Sequence, residues 1–441
     1  MLNNNEINKE ESAYTNPIEE TLLFQSMRER LDLGGQVFYA GIVDSLKMLL
    51  ALPFAKNWAL YLCKNEERAK EVLQDCKAFS ENAYYYPPKD YLIYKADTRG
   101  HYILRERGEC LRHLLEEESG IVVTTFSSLM EKMEGKNAFQ VSLFTVKIGM
   151  HIELSDLQEK LSQMEYKRVE QIEMRGEYSI RGGIVDIFSN QMEDPVRIEF
   201  FGEEVDSIRH FSLESQRSLW QIEEAKLYPA GERGFSSSLK AFSLLDYFPK
   251  DAVVFLDEPA RLLEEAERVE AEFLNFFESN TEEEEKVELF SPQTLLTEIG
   301  ERAFAAFSTL GTGLDSLVDV ADARKFTEKN VSSKEIPSYG KQPGLFQEDV
   351  KRLFQEKYRI LLYSPSVLRA SRLAEQLREE GISAYCPDEF SLPKEGEKSI
   401  QVCTGFLRHG FSLEEERLFV LTEAELFGQS LSLKKKKKKK K

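Results

Sequence analysis

The sequence predicts an α/β protein in which a parallel sheet with crossover helices is interrupted by a mostly antiparallel α+β module and followed by a smaller α/β domain. Three observations carry this expectation. Apolar runs alternate with helical stretches in residues 37–135 and again from about residue 240, the pattern of parallel strands joined by helices. Between these regions, residues 140–225 change to short alternating segments punctuated by turn residues. A compact third βα pattern follows a stretch at 325–345 that contains Lys, Ser, Gly and two prolines and reads as a linker. At about 150 residues per domain, 441 residues leave room for such an arrangement.

Taken in order, strands are expected at 37–40, 59–62 and 121–124, each followed by a helix, at 45–52, 66–78 and 127–133. In the module, one amphipathic helix (154–164) precedes strands at 168–173, 178–181, 183–188, 196–201 and 204–211. Asp194-Pro195 and Phe201-Gly202-Glu203 supply turns. The α/β pattern resumes with a strand at 252–256 and a helix at 261–277, and residues 280–286, with four consecutive glutamates, read as a solvated loop. The third unit should hold helices at 347–356 and 366–380 and strands at 358–363, 382–385, 399–403 and 417–421.

Charge narrows the function. With 77 acidic against 58 basic residues the net charge is −19, and without the terminal lysine run at 434–441 it falls to −27. Sequence-independent nucleic-acid binding rests on basic side chains that neutralise phosphates, so the acidic body argues against it. The five cysteines (Cys63, Cys76, Cys110, Cys386, Cys403) form no C-x-x-C pair, which fits a reducing cytosol. The histidines show no metal-ligand spacing. The N-terminus is polar and acidic, unlike a signal peptide, and the most apolar stretch, 46–63, is interrupted by Lys47, Pro53 and Lys56. A soluble cytoplasmic protein with no membrane contact and no metal site is expected.

Two candidate sites stand out. Gly41-Ile42-Val43-Asp44-Ser45-Leu46-Lys47-Met48 follows a strand and keeps the first Gly and the Lys of a G-x-x-x-x-G-K-[ST] phosphate loop. Leu46 replaces the second Gly and Met48 the hydroxyl residue. Leucine disfavours the required backbone, and magnesium prefers hard oxygen ligands. The apolar strand ending in Asp257-Glu258 could place a carboxylate near magnesium, or simply start a helix with Pro259 at its first position. Together, Gly41, Leu46, Lys47, Met48, Asp257 and Glu258 read as a degenerate nucleotide site. No catalytic arrangement is recognisable, and Gly311-Thr312-Gly313 reads as a turn.

The second candidate is Arg181-Gly182-Gly183-Ile184-Val185-Asp186-Ile187-Phe188 with Arg197-Ile198-Glu199-Phe200-Phe201. Strand alternation puts Ile184, Asp186 and Phe188 on one face, and likewise Arg197, Glu199 and Phe201. A stripe of Arg, Glu and Phe has the composition of a protein interface, although an ion pair beside a lone exposed Phe would read the same. A third pattern, Tyr84, Tyr85, Tyr86, Tyr91, Tyr94 and Tyr102 among Lys89, Lys95, Arg99, Arg105 and Arg107, could stack single-stranded nucleic acid or line a strand edge.

The 181–201 segment closely resembles the module shared by the bacterial transcription-repair coupling factors (Mfd) and the excision-repair protein UvrB. Its pattern R-G-[GAD]-[IVL]-[IVL]-[DE]-[IL]-[FY], then R-[IVL]-[ED]-F-F, is matched in both halves. Val205 to Arg209, Phe211 with Ser215 to Arg217, and the later 400–405 and 420–428 are similar to the coupling factors rather than to UvrB. The resemblance covers nearly the whole chain. It implies a degenerate RecA-like (P-loop NTPase-like) domain over 1–142 and 226–335, an inserted UvrA-binding module over 143–225, a small α/β domain over 345–429 and a basic linker over 430–441. It also implies recruitment of UvrA to stalled transcription through Arg181, Arg197 and Phe201, and the absence of UvrB's long damage-probing hairpin. Full-length relatives continue into an RNA-polymerase-binding module and a translocase that uses ATP and magnesium on double-stranded DNA. No such motor motifs follow here, so no cofactor and no enzymatic activity are expected of this chain. With later domains absent, the module would bind UvrA constitutively. The alternatives are a nucleotide-dependent, UvrB-like DNA-binding enzyme built on Gly41, Lys47, Asp257 and Glu258, or an inactive fragment.

Overall fold

The computed structural model describes residues 16–89, 98–117, 119–137, 143–230, 241–279, 289–340, 342–387 and 390–428. Its centre is a seven-stranded, wholly parallel sheet. The strand order is Phe326–Asn330, Gln36–Ala40, Phe304–Ser308, Val253–Asp257, Trp58–Cys63, Gly120–Thr125 and Ala83–Tyr86. The five inner strands are buried along their whole length, as expected of a parallel sheet covered on both faces. Val37, Tyr39, Tyr61, Phe255 and Phe307 meet the helices Leu22–Asp32, Asp44–Ala51 and Glu66–Phe79 on one face. Phe38, Leu60, Val122, Val254 and Leu256 meet Leu111, Leu129, Leu262 and Leu295 on the other. Two strands from beyond residue 250 lie between Gln36–Ala40 and Trp58–Cys63, so the sheet is complete only after the chain returns from the module.

Local sequence starts the helices. Thr21 accepts a hydrogen bond from Phe24 N, Asn65 from Arg68 N and Ser291 from Thr294 N, each satisfying an otherwise unpaired helix N–H.

The module is a six-stranded sheet in the order Ser218–Ile222, Glu204–Phe211, Val196–Phe201, Ile184–Phe188, Glu177–Arg181 and Lys167–Arg168. All pairs are antiparallel except the last. The helix Leu154–Gln163 covers one face through Leu157 and Leu161, packed on Val185, Ile187, Val196, Ile198, Val205 and Ile208. At the neck, Phe144–Lys147 pairs with Glu224–Leu227.

The third sheet runs Ser333–Glu335, Phe411–Leu413, Leu418–Thr422, Arg359–Ser364, Ile400–Thr404 and Ala384–Tyr385, parallel over its last four strands. One face carries the helices Pro343–Gln355 and Val367–Glu379. Leu361, Tyr363, Cys403, Leu418 and Val420 on the other, with Leu407 from the loop after Ile400–Thr404, join the apolar cluster of the first sheet's helices. The two sheets therefore share one core layer.

Several expectations need correction. The stretch 325–345 is not a linker: it holds the edge strand Phe326–Asn330, the strand Ser333–Glu335 and the start of a helix. Lys329 and Lys334 sit on edge strands, where lysine is tolerated, and Pro343 starts the helix. The expected strand 168–173 shortens to Lys167–Arg168 because Ile172 turns into a small cluster with Phe188 and Phe211. The helix Thr98–Glu116 and the strands Phe144–Lys147, Ser218–Ile222 and Glu224–Leu227 were not anticipated. The glutamate run at 282–285 and the lysine run lie outside the described residues. No described helix is long and apolar enough to cross a membrane.

Candidate functional site

Of the residues expected to form a degenerate nucleotide site, Lys47, Asp257 and Glu258 are assembled in space and engaged with one another. Lys47 is fully buried, and its Nζ lies 2.5 Å from Glu258 Oε1, 3.0 Å from Asp257 Oδ1 and 3.6 Å from Asp44 Oδ1. Arg68 Nε donates to the other oxygen of Asp257 at 2.7 Å. Glu258, at φ +58°, also accepts from Thr309 N at 2.9 Å and Thr309 Oγ1 at 2.6 Å. Burial alone would raise both carboxyls. Lys47, joined at Asp257 by Arg68, overrides it and holds both below the ordinary range. Burial would likewise lower Lys47, and Asp257 and Glu258 instead raise it.

The loop itself is closed. Gly41 has φ +81°, and a Cβ there would collide with the carbonyl oxygen of Val331. Ser333 Oγ donates to Gly41 O at 2.5 Å and accepts from Val43 N at 3.0 Å. It thus occupies an N–H that a phosphate would otherwise take at this helix start. Leu46 and Met48 are core residues at 0% and 1% exposure. Bound nucleotide would need the buried ion pairs opened, at about 3–5 kcal/mol for one broken pair. As placed, Lys47 offers a phosphate no free ammonium and Met48 offers magnesium no hard oxygen. Among the described residues no group of three or more His, Cys, Asp or Glu could hold a metal.

Among the described residues, the tyrosine pattern does not form a stacking platform. Tyr85 and Tyr86 are buried on the edge strand, and the buried Arg107 covers the Tyr86 ring at 4.1 Å. Tyr84 stacks on His113. Tyr102 is half exposed, and Tyr91, Tyr94, Lys95 and the Arg99 side chain lie outside the described residues.

The second candidate is the face of the module's sheet opposite its helix. Register places Asp186 opposite Arg197, Arg197 opposite Arg209 and Ile184 opposite Glu199, so their side chains share this face. Asp186 accepts from Arg197 Nε at 2.6 Å, Arg197 Nη2 at 2.9 Å and Arg181 Nη2 at 2.5 Å. Glu199 accepts from Ser207 Oγ at 3.0 Å and pairs with Arg209. Two hairpin tips meet at one end of the sheet. One is Arg181-Gly182-Gly183, whose Gly183 O accepts from Phe200 N at 2.8 Å. The other is Phe201-Gly202-Glu203, where Gly202 at φ +67° turns the chain and leaves Phe201 83% exposed.

The structure thus brings Arg181, Arg197 and Phe201 onto one face, and Lys47, Asp257 and Glu258 into one network. Sequence reasoning missed Arg68, Thr309 and Ser333, whose partners Asp257, Glu258 and Gly41 lie 189, 51 and 292 positions away and leave no local signal. It also missed Gln216, whose Oε1 accepts from Arg197 Nη2 at 3.1 Å. Asp186 was legible, since strand alternation set it on the face of Ile184 and Phe188.

The family model of the UvrB interaction domain matches residues 144–232. The chain is similar to transcription-repair-coupling factors: 25% identity to that of Bacillus subtilis (strain 168) and to that of Staphylococcus aureus (strain bovine RF122 / ET3-1), over 88% of this chain in each case. Identity to the Staphylococcus haemolyticus (strain JCSC1435) protein is also 25%, over 83% of this chain. The chain spans 36–38% of the length of these relatives. A loose structural likeness, TM-score 0.29 at 10% identity, is to a DEAD box protein from the hyperthermophile Methanococcus jannaschii, over 86% of this chain and 72% of that one.

Proposed function

We propose that this chain performs the repair-recruitment step of a transcription-repair-coupling factor by docking UvrA on the open face of its module. The observation that carries the reading is the exposed Phe201 at the same end of the module's sheet as Arg181, on a face that no described helix covers, inside the segment matched by the UvrB interaction domain. An exposed aromatic anchor together with an arginine with donors to spare is the composition of a protein interface hot spot. Losing an arginine from such a contact costs about 2–5 kcal/mol when the partner's charge stays buried.

The test is co-elution with purified UvrA. Arg181→Ala and Phe201→Ala are each expected to abolish it while the melting temperature stays within a few degrees of wild type, because both side chains project from hairpin tips. Retention of UvrA by both variants would sink the assignment.

The same reading gives the chain no nucleotide-dependent activity of its own. Its support is the network that engages Lys47 and the lack of a hydroxyl at Met48. Calorimetric titration with magnesium and ATP should show no saturable binding at micromolar concentrations.

A further inference from the structure

The two arginines of the docking face are held differently. Arg197 is 15% exposed at its side chain and Arg181 47%, while the Asp186 carboxylate between them is 2% exposed. Arg197 is braced on every side. Nε and Nη2 go to Asp186, Nη2 also to Gln216 Oε1, and Nη1 approaches Gln216 O at 3.5 Å. Its guanidinium lies 4.3 Å from the Phe211 ring centroid. Gln216 is itself fixed, at φ +57° with its Nε2 donating to Leu213 O at 2.9 Å. Arg181 donates a single hydrogen bond, to Asp186. A guanidinium has five N–H donors, so most of those of Arg181 are left free among the described residues, at the same end of the sheet as Phe201.

Charge follows the same division. Two guanidinium groups share one carboxylate, leaving one positive charge in excess, and the neighbouring Arg209–Glu199 pair cancels itself. On a chain of net charge −19, this is a local positive point at Arg181, whereas the register neighbour of Phe201 is the half-exposed Glu204. Such a point selects an anionic group by complementarity.

We propose that Asp186 is the positioning residue of the docking face: it fixes Arg197 as an internal brace and holds Arg181 at the Phe201 end of the sheet, where the free donors of Arg181 meet an acidic side chain of the partner. This rests on the UvrA reading and adds to it the partner's chemistry and a division of labour between the two arginines. A carboxylate that merely balanced charge would, when neutralised, strengthen attraction to an acidic partner. A positioning carboxylate predicts the opposite sign.

The experiment compares wild type with Asp186→Asn, which keeps the shape and one acceptor oxygen, and with Arg181→Lys. Affinity for purified UvrA is measured at two salt concentrations, and exchange of the arginine Nε–H groups is followed by NMR in the free chain. Asp186→Asn should bind at least tenfold more weakly and lose the slow exchange of the Arg197 Nε–H. Arg181→Lys, which keeps the charge but cannot bridge two carboxylates with a planar fork, should lose at least fivefold. Equal or tighter binding by Asp186→Asn, wild-type affinity in Arg181→Lys, or an Arg197 Nε–H that exchanges freely in the wild type would each overturn the proposal. Should wild type not bind UvrA at all, the functional reading fails by itself, and the exchange of Arg197 Nε–H still decides whether Asp186 holds the brace.

Discussion

Lys47 shows how far a single residue's meaning depends on its surroundings. Its spacing from Gly41 is that of a phosphate-binding lysine, yet its ammonium is consumed by Asp257 and Glu258. Removing it strands two carboxylates, one of them fully buried, although Arg68 still reaches Asp257. Lys47→Ala should therefore cost about 3 kcal/mol at neutral pH, measured by denaturant unfolding. The pH dependence has a definite sign. Asp257 and Glu258 are held below their ordinary values in the folded state, so their contribution is present above the ordinary carboxyl range and lost as pH falls through the lowered values. The gap between wild type and Lys47→Ala should narrow as pH drops below about 4. A gap that widens toward acid would contradict the ion-pair account. The substitutions at 46 and 48 were legible from residue chemistry alone. That Lys47 is paired internally was not, because Asp257 is 210 positions away.

At the scale of elements, strand alternation was the most informative signal. It assigned Arg197, Glu199 and Phe201 to one face and Val196, Ile198 and Phe200 to the other. The structure agrees, since Val196 and Ile198 are core and Phe201 is exposed. Turns separate into two kinds that sequence does not distinguish. Gly41 and Gly202 both have positive φ, but a Cβ at Gly41 meets the Val331 carbonyl and one at Gly202 meets open space. Gly202→Ala should cost only the backbone term of about 1–2 kcal/mol. Gly41→Ala should cost clearly more and loosen the Ser333 plug. Comparison of their denaturation midpoints checks this, and equal losses would show that Val331 yields at no cost. The long helix Thr98–Glu116 escaped notice because the tyrosines and bases at its start read as a surface cluster.

For the molecule as a whole, the shared core layer matters most. Tyr363, Leu418 and Val420 of the third sheet, with Leu407 from the loop after Ile400–Thr404, pack with the helices that carry Leu46 and Val72. Arg408 reaches Glu71 at 3.3 Å across the same boundary, and Glu416 Oε1 accepts from Leu23 N at 2.9 Å. The two sheets should melt as one cooperative unit. Leu407→Asp, which places an unpaired carboxylate in that layer, should split a single calorimetric transition into two while UvrA co-elution, which depends on the module, survives. A single transition in the variant would mean that the two sheets are coupled through other contacts.

Alternation, apolar runs and turn residues determined the α/β class, the antiparallel interruption, and the side of the sheet on which Arg181, Arg197 and Phe201 lie, because each depends only on neighbours within a strand or turn. Tertiary structure alone decided that Ser333 closes the Gly41 loop and that Lys47, Arg68, Asp257 and Glu258 neutralise one another. It also decided that Arg197 is a brace while Arg181 stays open. These outcomes depend on strands inserted out of sequence order and on burial, which set how charges pair, and no local pattern encodes either.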